Sequence, residues 1–468
     1  MEPFDEKYEV IGDRVRTVAD VIEFFYDIIY VEEWRQFYVW RNGVYIYRTE
    51  DWINSVVTSI CRQREDDRVN LDFENSYKYS TGFVSNIAGM IKGDCLLSKR
   101  VFRLYHHLIN CKNGIFDINQ CTFIPHKVKN PYKDKGYFPF IQLATDYNPD
   151  AKCPRIDEFI KQIFKNKWRE IYEVVGSYIT TDVGYQKAQW IYGFGSNGKG
   201  VFSKLVTHLL GRENIMVMPM SVLLKDFSVA EIQNKLLNIV HEIDVDYIQN
   251  SGLYKNITGG DDLNAQKKFI QKQELFENVC KLLIACNTIP KCKDDSYGWW
   301  RRKMLFPLTK TFIGKHKDKL LINKLTTKRE LEGLLNHALN GLLRLKWRDG
   351  FIDEDVEKIR EKWFLETDPL GKFILDFCVK DGSCLRTEFV YDFNIWRKNN
   401  NMPKVGERYV SQHLKKKMNT IELKRKRGAI AAKYVGISLL NGSAKQYDVN
   451  KMFTGIPKEI EEDFLDEF

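Results

Sequence analysis

A glycine-rich segment, flanked by an apolar run and a helix-forming run, carries the clearest chemistry in the sequence. Residues 193–200 read Gly-Phe-Gly-Ser-Asn-Gly-Lys-Gly, after the apolar run 188–192 and before the run 201–205. Glycines let successive backbone N–H groups point at phosphate oxygens, and the N-terminus of the next helix adds positive charge. The Lys199 ammonium can reach β- and γ-phosphates. A glycine-rich surface turn is the alternative, but the flanking runs favour an ATP site formed by Gly193, Gly195, Ser196, Asn197, Gly198, Lys199, Gly200 and Val201.

The residue after the lysine departs from the usual phosphate-binding pattern. Gly200 stands where Ser or Thr normally supplies a hydroxyl ligand to Mg²⁺. A second apolar run, residues 236–240, is followed by His241 and Glu242. In nucleotide hydrolases such a strand ends in acids that hold Mg²⁺ and orient the attacking water. Glu242 is therefore the predicted metal ligand and water-activating residue, whereas His241 is a poor Mg²⁺ ligand because this ion prefers oxygen donors.

Two more polar positions follow apolar segments further along the chain. Asn287 ends the run 282–286, where its amide can hydrogen-bond the γ-phosphate or the attacking water without adding charge. Arg301 and Arg302 follow a pair of tryptophans. Paired guanidinium groups stabilise charge on a phosphoryl group in transfer, often from a neighbouring subunit. A plain surface arginine pair is the alternative.

Basic residues occur in two places that suit nucleic acid. A Gly-Gly-Asp-Asp turn at 259–262 is preceded by Lys255 and followed by Lys267 and Lys268 beside an aromatic residue, which predicts a hairpin that presents charge and a stacking ring. Residues 401–440 carry ten bases and two acids, a net charge of +8, which favours a polyanionic partner over a solvated face. The predicted DNA contacts of this second cluster are Lys415, Lys416, Lys417, Lys424, Arg425, Lys426 and Arg427.

Composition limits the class of protein. The chain has 468 residues, 44% of them hydrophobic, and a net charge of +9. Its ten cysteines form no C-x-x-C pair, so zinc ribbons and thioredoxin-type sites are not expected. We expect free thiols in a reducing compartment. The N-terminus has no signal-peptide pattern, and no apolar run is long enough to span a bilayer. We therefore expect a soluble cytoplasmic protein without a membrane partner.

The order of patterns along the chain predicts an α/β fold with additional domains. Residues 37–40 and 43–47 read as a hairpin, residues 155–185 as helices that lead into the ATP site, and residues 330–345 as a packed helix. Alternating strands and helices are typical of a nucleotide-binding domain. The predicted domains are an α+β domain (1–150), an ATPase domain with leading helices (151–350), a winged-helix-like basic DNA-binding domain (351–445) and an acidic tail (446–468).

These residues together resemble the superfamily 3 helicases, and more specifically the helicase half of primase-helicases encoded by poxviruses, other large DNA viruses, phages and plasmids. The resemblance is strongest over residues 100–345, and segments 113–117 and 146–149 resemble that family's pre-helicase domain. It is carried by Asn197-Gly198-Lys199, the strand ending in Glu242, segment 255–268, Asn287, Arg301-Arg302 and segment 332–342.

The resemblance implies an AAA+-like P-loop core that assembles into a ring, usually a hexamer. ATP would bind between subunits, with Mg²⁺, and DNA would pass through the central channel. Lys267 and Lys268 would track the DNA backbone. A separate primase or polymerase is an expected partner, because 192 residues precede Gly193 and they contain no primase metal site that we recognise. The other possibility is that the chain is a fragment that begins at Met1.

The resemblance also assigns a role to each catalytic candidate. Lys199 would bind phosphate, Glu242 would activate water, and Asn287 would sense the γ-phosphate. Arg301 or Arg302 would act on the nucleotide of a neighbouring subunit. These roles predict an ATP-dependent DNA helicase of viral, phage or plasmid replication. The alternative is an ATP-dependent, weakly hydrolytic or non-hydrolytic protein that binds replication origins.

Overall fold

A computed structural model describes residues 19, 22–23, 26–69, 81–102, 104–127, 129–193, 195–241, 243, 247–248, 251–265, 274–292, 294–312, 318–352, 354–400, 402–417, 422–424 and 432–440. The chain divides into two compact units. The first comprises residues 1–287 and 292–353, and the second comprises residues 288–291 and 354–468.

The first unit begins with a four-stranded sheet of order β3-β2-β1-β4 and two helices. Its elements are β1 (Ile28–Val31), β2 (Gln36–Arg41), β3 (Val44–Arg48), α1 (Glu50–Val69), α2 (Thr81–Asp94) and β4 (Leu96–Leu97). The predicted hairpin is confirmed, since β2 and β3 pair antiparallel with Arg41 opposite Val44. Asn42 and Gly43 form its turn with φ of 47° and 99°, values that asparagine and glycine tolerate best.

A three-stranded antiparallel meander follows and shares a hydrophobic core with the region after it. It consists of β5 (Leu108–Cys111), β6 (Gly114–Asp117) and β7 (Thr122–Pro125). Ile109 and Phe116 belong to the same hydrophobic cluster as Leu205 and Leu283. Residues on both sides of the predicted boundary at residue 150 therefore share one core, and that boundary stays a prediction.

A five-stranded parallel sheet of order β16-β8-β14-β10-β9 is the centre of the first unit. All residues of β8, β10 and β14 are buried, as expected for strands covered on both faces. The strands of this region are β8 (Ala188–Tyr192), β9 (Ile215–Val217), β10 (Leu237–Val240), β11 (Tyr247–Ile248), β12 (Leu263–Ala265), β13 (Glu274–Phe276), β14 (Lys281–Cys286), β15 (Lys291–Cys292) and β16 (Lys303–Pro307). The three strands that sequence patterns predicted for this core are β8, β10 and β14.

Helices of the same region pack closely where glycines allow it. They are α3 (Pro154–Phe164), α4 (Trp168–Ile179), α5 (Lys199–Leu210), α6 (Met220–Leu223), α7 (Gly252–Gly259), α8 (Tyr297–Trp300), α9 (Leu321–Leu325) and α10 (Lys328–Arg348). A Cβ on Gly176 of α4 would lie 2.5 Å from the Ala338 carbonyl oxygen, and one on Gly341 of α10 would lie 2.2 Å from that of Tyr172. The two helices therefore cross backbone to backbone, and only glycine fits at these points.

The second unit contains four helices and short strands among its described residues. They are α11 (Val356–Thr367), α12 (Pro369–Phe377), β17 (Cys378–Val379), β18 (Ser383–Leu385), α13 (Arg386–Asn399), α14 (Glu407–Lys417), β19 (Glu422–Lys424), β20 (Lys433–Val435) and β21 (Ser438–Leu439). Strands β18, β20 and β19 form an antiparallel sheet in that order. Phe373, Phe389, Phe393 and Tyr434 lie in its core. Helices followed by an antiparallel hairpin are the elements that the winged-helix prediction requires, and the class itself stays a prediction.

Five short 3₁₀ segments complete the described elements: Lys99–Val101, Lys133–Lys135, Lys165–Lys167, Arg212–Asn214 and Asp226–Ile232. Among the described residues, no helix combines the length and the apolar character that crossing a membrane requires.

Candidate nucleotide-binding site

The carboxyl ends of three neighbouring parallel strands bring the predicted polar residues to one edge of the sheet. Tyr192 of β8 pairs with Cys286 of β14, and β14 pairs in turn with β10. Gly193, Asn287 and His241 directly follow these three strands, so their backbones leave the sheet side by side. The Gly193 N–H donates to the Cys286 carbonyl oxygen at 3.3 Å. Ligands of open parallel sheets bind in the crevice at this edge.

The loop between β8 and α5 has a conformation that glycine makes possible. Gly193, Gly195 and Gly198 have φ of 151°, 58° and 94°. A Cβ on Gly193 would lie 2.3 Å from the Leu308 carbonyl oxygen, and one on Gly198 would lie 3.1 Å from Ile163 Cγ2. Both contacts are too close for a larger residue without rearrangement. The predicted spacing of glycines thus matches the positions where the backbone requires them.

Lys199 begins α5, and its buried ammonium lies against the loop that precedes it. Its Nζ donates to the Gly193 carbonyl oxygen at 2.6 Å and to Asn197 Oδ1 at 3.1 Å. The Asn197 amide donates to the Leu308 carbonyl oxygen at 3.3 Å and so holds this acceptor in place. Burial lowers the pKa of Lys199 from its ordinary value. A phosphate would replace two neutral acceptors with anionic oxygens, which form stronger, charge-assisted hydrogen bonds.

Gly200 occupies an open position one residue after the lysine. It is exposed, and a Cβ built there would have no heavy atom within 4 Å apart from its chain neighbours and the backbone of its own helix. The next residue, Val201, is partly buried and packs against the core. A hydroxyl side chain would therefore fit at Gly200 without a clash. The loop as it stands supplies backbone N–H groups and an ammonium, a donor set that suits a polyphosphate.

The residue predicted to hold Mg²⁺ and activate water, Glu242, lies outside the described residues. It follows Val240, the last residue of β10, and His241, which is exposed. Asn287 is also exposed at the end of β14. The described groups of this site, the loop backbone and the Lys199 ammonium, suit phosphate binding. The carboxylate expected to hold the metal stays a prediction.

The paired arginines lie at the amino-terminal ends of the strands, whereas the glycine loop lies at their carboxyl ends. Lys303, the first residue of β16, pairs with Ala188, the first residue of β8, and the Ala188 N–H donates to the Arg302 carbonyl oxygen at 2.8 Å. The glycine loop leaves the other end of β8, which is five residues long. At about 3.3 Å per residue, the five steps from Ala188 to Gly193 place the arginine backbone and the start of the glycine loop about 16 Å apart. This distance exceeds the reach of an arginine side chain.

The two guanidinium groups have different surroundings. Arg301 donates through Nη2 to Gln186 Oε1 at 2.6 Å. Arg302 donates through Nη1 to the Gly298 carbonyl oxygen at 2.8 Å, and burial followed by the nearby Arg301 charge lowers its pKa. Arg301 is thus held by a side chain that can move aside, whereas Arg302 is bound to the backbone of α8.

Two buried lysines begin strands at this same edge. Lys281 of β14 donates to the Thr180 carbonyl oxygen, and burial lowers its pKa to about 7. Lys303 of β16 donates to the Trp299 carbonyl oxygen at 2.7 Å, its Nζ lies 3.1 Å from the Trp299 ring centroid, and burial holds its pKa well below the ordinary value. The sequence analysis did not single out either residue, because a lysine within an apolar run gives no sign of its burial.

The first set of predicted DNA contacts lies around α7 and the β12–β13 hairpin. Lys255 forms an ion pair with Asp294 at 2.9 Å. Burial alone would raise the pKa of Asp294, but hydrogen bonds from Lys255 and Ser251 hold it well below the usual range. Strands β12 and β13 pair antiparallel, in agreement with the predicted hairpin. Lys267 and Lys268 fall in the segment that connects them, which lies outside the described residues.

The second set lies at the end of α14 and in the β19–β20 hairpin. Lys415 is exposed on α14, and the backbones of Lys416 and Lys417 complete this helix. Lys424 ends β19, with Lys433 opposite it on β20. Arg425, Lys426 and Arg427 belong to the connection between these strands and lie outside the described residues. The basic cluster of the sequence thus falls on one helix end and one hairpin.

A cluster that the sequence analysis missed lies on the helices beside the glycine loop. Cys153, Asp157 and His337 bring three potential ligand atoms within 4.8 Å of one another. Cys153 and Asp157 are four residues apart, a helical spacing that the sequence contains but that many structural pairs share. His337 is distant in sequence, so only the packing of α10 on α3 identifies it.

Comparison with known proteins agrees with the resemblance found in the motifs. Over part of its length the chain is similar to proteins named as putative helicases in large DNA viruses. Residues 19–165 match a family described as "D5 N terminal like", and residues 191–302 match a "Family of unknown function (DUF5906)". A putative helicase of Acanthamoeba polyphaga mimivirus is 27% identical over 271 residues, which cover 53% of this chain and 26% of that protein. A putative helicase of Invertebrate iridescent virus 6 is 26% identical over 223 residues, which cover 44% of this chain and 22% of that protein.

The chain spans about a quarter of the length of the curated relatives it matches. Among solved structures, the apo A form of the NrS-1 C-terminal region is similar to this chain with a TM-score of 0.46 and 11% sequence identity. That match covers 90% of this chain and 98% of the other. The TM-score is too low to establish a shared fold.

Proposed function

We propose that this chain is an ATP-dependent DNA helicase of the superfamily 3 type, with an AAA+-like P-loop core, that acts in viral DNA replication. The observation that carries the proposal is that the two sets of candidate residues lie at opposite ends of the parallel strands. One edge presents the glycine loop, Lys199 and Asn287, and the opposite edge presents Arg301 and Arg302. Such a division suits a nucleotide that binds between two subunits.

Each group has a defined role in this proposal. The loop N–H groups and the Lys199 ammonium bind the phosphates, with the N-terminus of α5 directed at them. Mg²⁺ would be held by Glu242 and water, since this ion readily retains water ligands. Glu242 accepts a proton from the attacking water, and the Asn287 amide hydrogen-bonds the γ-phosphate.

The arginines complete the site from a neighbouring copy of the chain. Because the strand length separates them from their own loop by about 16 Å, they cannot stabilise charge on the nucleotide of the same subunit. A ring closes this head-to-tail arrangement, since each subunit then offers its loop to one neighbour and its arginines to the other. A hexamer is the ring size that we propose.

DNA binding is assigned to the basic groups of both units. The β12–β13 hairpin carries Lys267 and Lys268 in its connection, and the second unit carries the cluster that includes Lys415 and Lys424. Phosphate contacts of this kind bind without sequence preference and weaken with salt. The second unit is proposed to be a winged-helix-like DNA-binding domain on the same grounds.

The test is steady-state ATP hydrolysis with and without single-stranded DNA. We expect hydrolysis that DNA stimulates, and its loss in Lys199→Ala with the fold intact. Lys204→Ala is the matched control, because Lys204 is an exposed lysine on the same helix. ATP-dependent DNA binding without hydrolysis would refute the helicase and favour the origin-binding alternative. Failure to bind ATP would refute both.

A further inference from the structure

Three side chains of metal-binding type meet in the first unit, outside the nucleotide site. Cys153 is the residue before α3, Asp157 lies in the first turn of α3, and His337 lies on α10. Their sulfur, carboxylate oxygen and imidazole nitrogen atoms lie within 4.8 Å of one another. It is the one such group found among the residues that the structure describes, and the proposed function does not use it.

The separations between these atoms suit a tetrahedral ion. Cys153 Sγ lies 3.7 Å from Asp157 Oδ1, and His337 Nε2 lies 3.1 Å from the same oxygen. Zinc bonds of about 2.0–2.3 Å at tetrahedral angles place ligand atoms about 3.3–3.8 Å apart. Small side-chain rotations would therefore bring all three donors to bonding distance of one ion.

The backbone fixes the three residues in this arrangement. The Asp157 N–H donates to the Cys153 carbonyl oxygen at 2.9 Å, which puts both side chains on one face of α3. A Cβ on Gly333 would lie 2.6 Å from the Cys153 nitrogen, so α10 contacts this backbone directly, one turn before His337. The Tyr172 ring stacks on the His337 imidazole with centroids 4.4 Å apart. The site is held by rigid elements rather than by loops.

The donor set indicates which ion would bind. A thiolate, an imidazole and a carboxylate are the ligands that Zn²⁺ takes, whereas Mg²⁺ prefers oxygen alone. The side chains of Asp157 and His337 are 30% and 40% exposed, so an ion can enter and water can reach a fourth position. One thiolate and one carboxylate would balance the charge of the ion.

We propose that Cys153, Asp157 and His337 bind one Zn²⁺ ion, with water as the fourth ligand. The ion joins α3 to α10. The Asp157 carboxylate also accepts a hydrogen bond from the Tyr172 hydroxyl, which helps to orient it toward the other two groups.

The site is connected to the nucleotide loop through α3. Phe159 and Ile163 of this helix lie against Gly198, at 3.3 and 3.1 Å from the position of a Cβ on that glycine. Zinc at the start of α3 would therefore fix the surface on which the loop rests. The proposal concerns metal binding and holds whether or not the chain hydrolyses ATP.

Metal binding to the full chain tests the proposal directly. The protein is stripped with a chelator and titrated with Zn²⁺ in competition with a chromophoric chelator, and separately with Co²⁺ to record its spectrum. We expect one equivalent of Zn²⁺ and a thiolate-to-Co²⁺ charge-transfer band. Cys153→Ser and His337→Gln should each weaken Zn²⁺ binding at least tenfold, the range seen when a ligand environment is disrupted.

Cys121→Ser is the matched control, because Cys121 is an exposed free cysteine outside the cluster. It should bind Zn²⁺ as the unchanged chain does. The proposal is overturned if the unchanged chain binds no stoichiometric Zn²⁺, or if both ligand substitutions leave the affinity unaltered. Should the variants fail to fold, the Co²⁺ spectrum of the unchanged chain decides, since a spectrum without a thiolate band refutes Cys153 as a ligand.

Discussion

Subunit mixing tests the separation of the glycine loop from the paired arginines most directly. Two variants are prepared, Lys199→Ala, which removes the phosphate-binding ammonium, and the double variant Arg301→Ala, Arg302→Ala. Each alone should lose ATP hydrolysis while it retains its fold and assembly. In the proposed arrangement every nucleotide needs both groups, and they come from two subunits because the loop and the arginines flank opposite ends of β8, about 16 Å apart along the backbone.

The expected activity of mixtures follows from counting interfaces. When the two variants assemble in equal amounts, a productive interface takes its loop from one variant and its arginines from the other. The chance is about one half times one half, so about a quarter of the interfaces should hydrolyse ATP if they act independently. If loop and arginines served the same nucleotide within one chain, no interface would work.

A second mixture provides the internal control. A chain that carries all three substitutions is mixed in equal amounts with the unchanged chain. Catalysis across subunits again leaves about a quarter of the sites active, because loop and arginines must both come from unchanged chains, whereas catalysis within a subunit leaves about half. The assay is steady-state phosphate release after subunit exchange has been verified. If the first mixture is inactive and the second retains half of the ATP hydrolysis, the inference that the loop and the arginines serve different nucleotides is refuted.

Three further predictions concern other sites. Gly200→Ser should lower the Mg²⁺ concentration for half-maximal ATP hydrolysis, because the position is open and the hydroxyl adds a ligand; an unchanged Mg²⁺ dependence would mean that another group already binds there. Replacing Lys415, Lys416 and Lys417 with Gln should flatten the plot of log K against log salt for duplex DNA by about two to three units, with DNA-free ATP hydrolysis unaffected, and an unaltered slope would make this a solvated face. Lys281→Met should reduce the rise of the free energy of unfolding between pH 7 and 10. Between these pH values Lys281 is protonated in the unfolded chain but not in the folded protein, where its pKa is about 7. This difference raises the free energy of unfolding by up to about 1.4 kcal/mol per pH unit. Urea unfolding at several pH values measures this, and equal slopes for both proteins would contradict it.

Local sequence patterns predicted well the strands and helices that hold the candidate site residues. The strand before the glycine loop runs over Ala188–Tyr192 as its apolar run indicated, and the packed helix predicted over 330–345 lies within Lys328–Arg348. Such elements are specified by short-range periodicity and by glycines at positive φ, both of which can be read from neighbouring residues.

Relationships between distant residues could not be predicted in the same way. The sequence placed the arginines after the third core strand, but only the pairing of Lys303 with Ala188 shows that they lie opposite the glycine loop. The segment around Lys255 was read as part of a hairpin, whereas it forms helix α7 before the hairpin begins. Strand order depends on the packing of the whole core, which local propensity does not specify.

The way α5 ends gives the nucleotide loop a mechanical connection to the meander. Its last carbonyls, at Leu209 and Leu210, accept hydrogen bonds from Thr145 and Ala144, residues that follow the meander in the chain. The helix has twelve residues and is therefore about 18 Å long, with one end at the glycine loop and the other at this contact. A helix of this length moves as a stiff rod. A displacement of the glycine loop along the helix axis would therefore be passed to the residues that follow the meander, so that α5 couples these two regions mechanically.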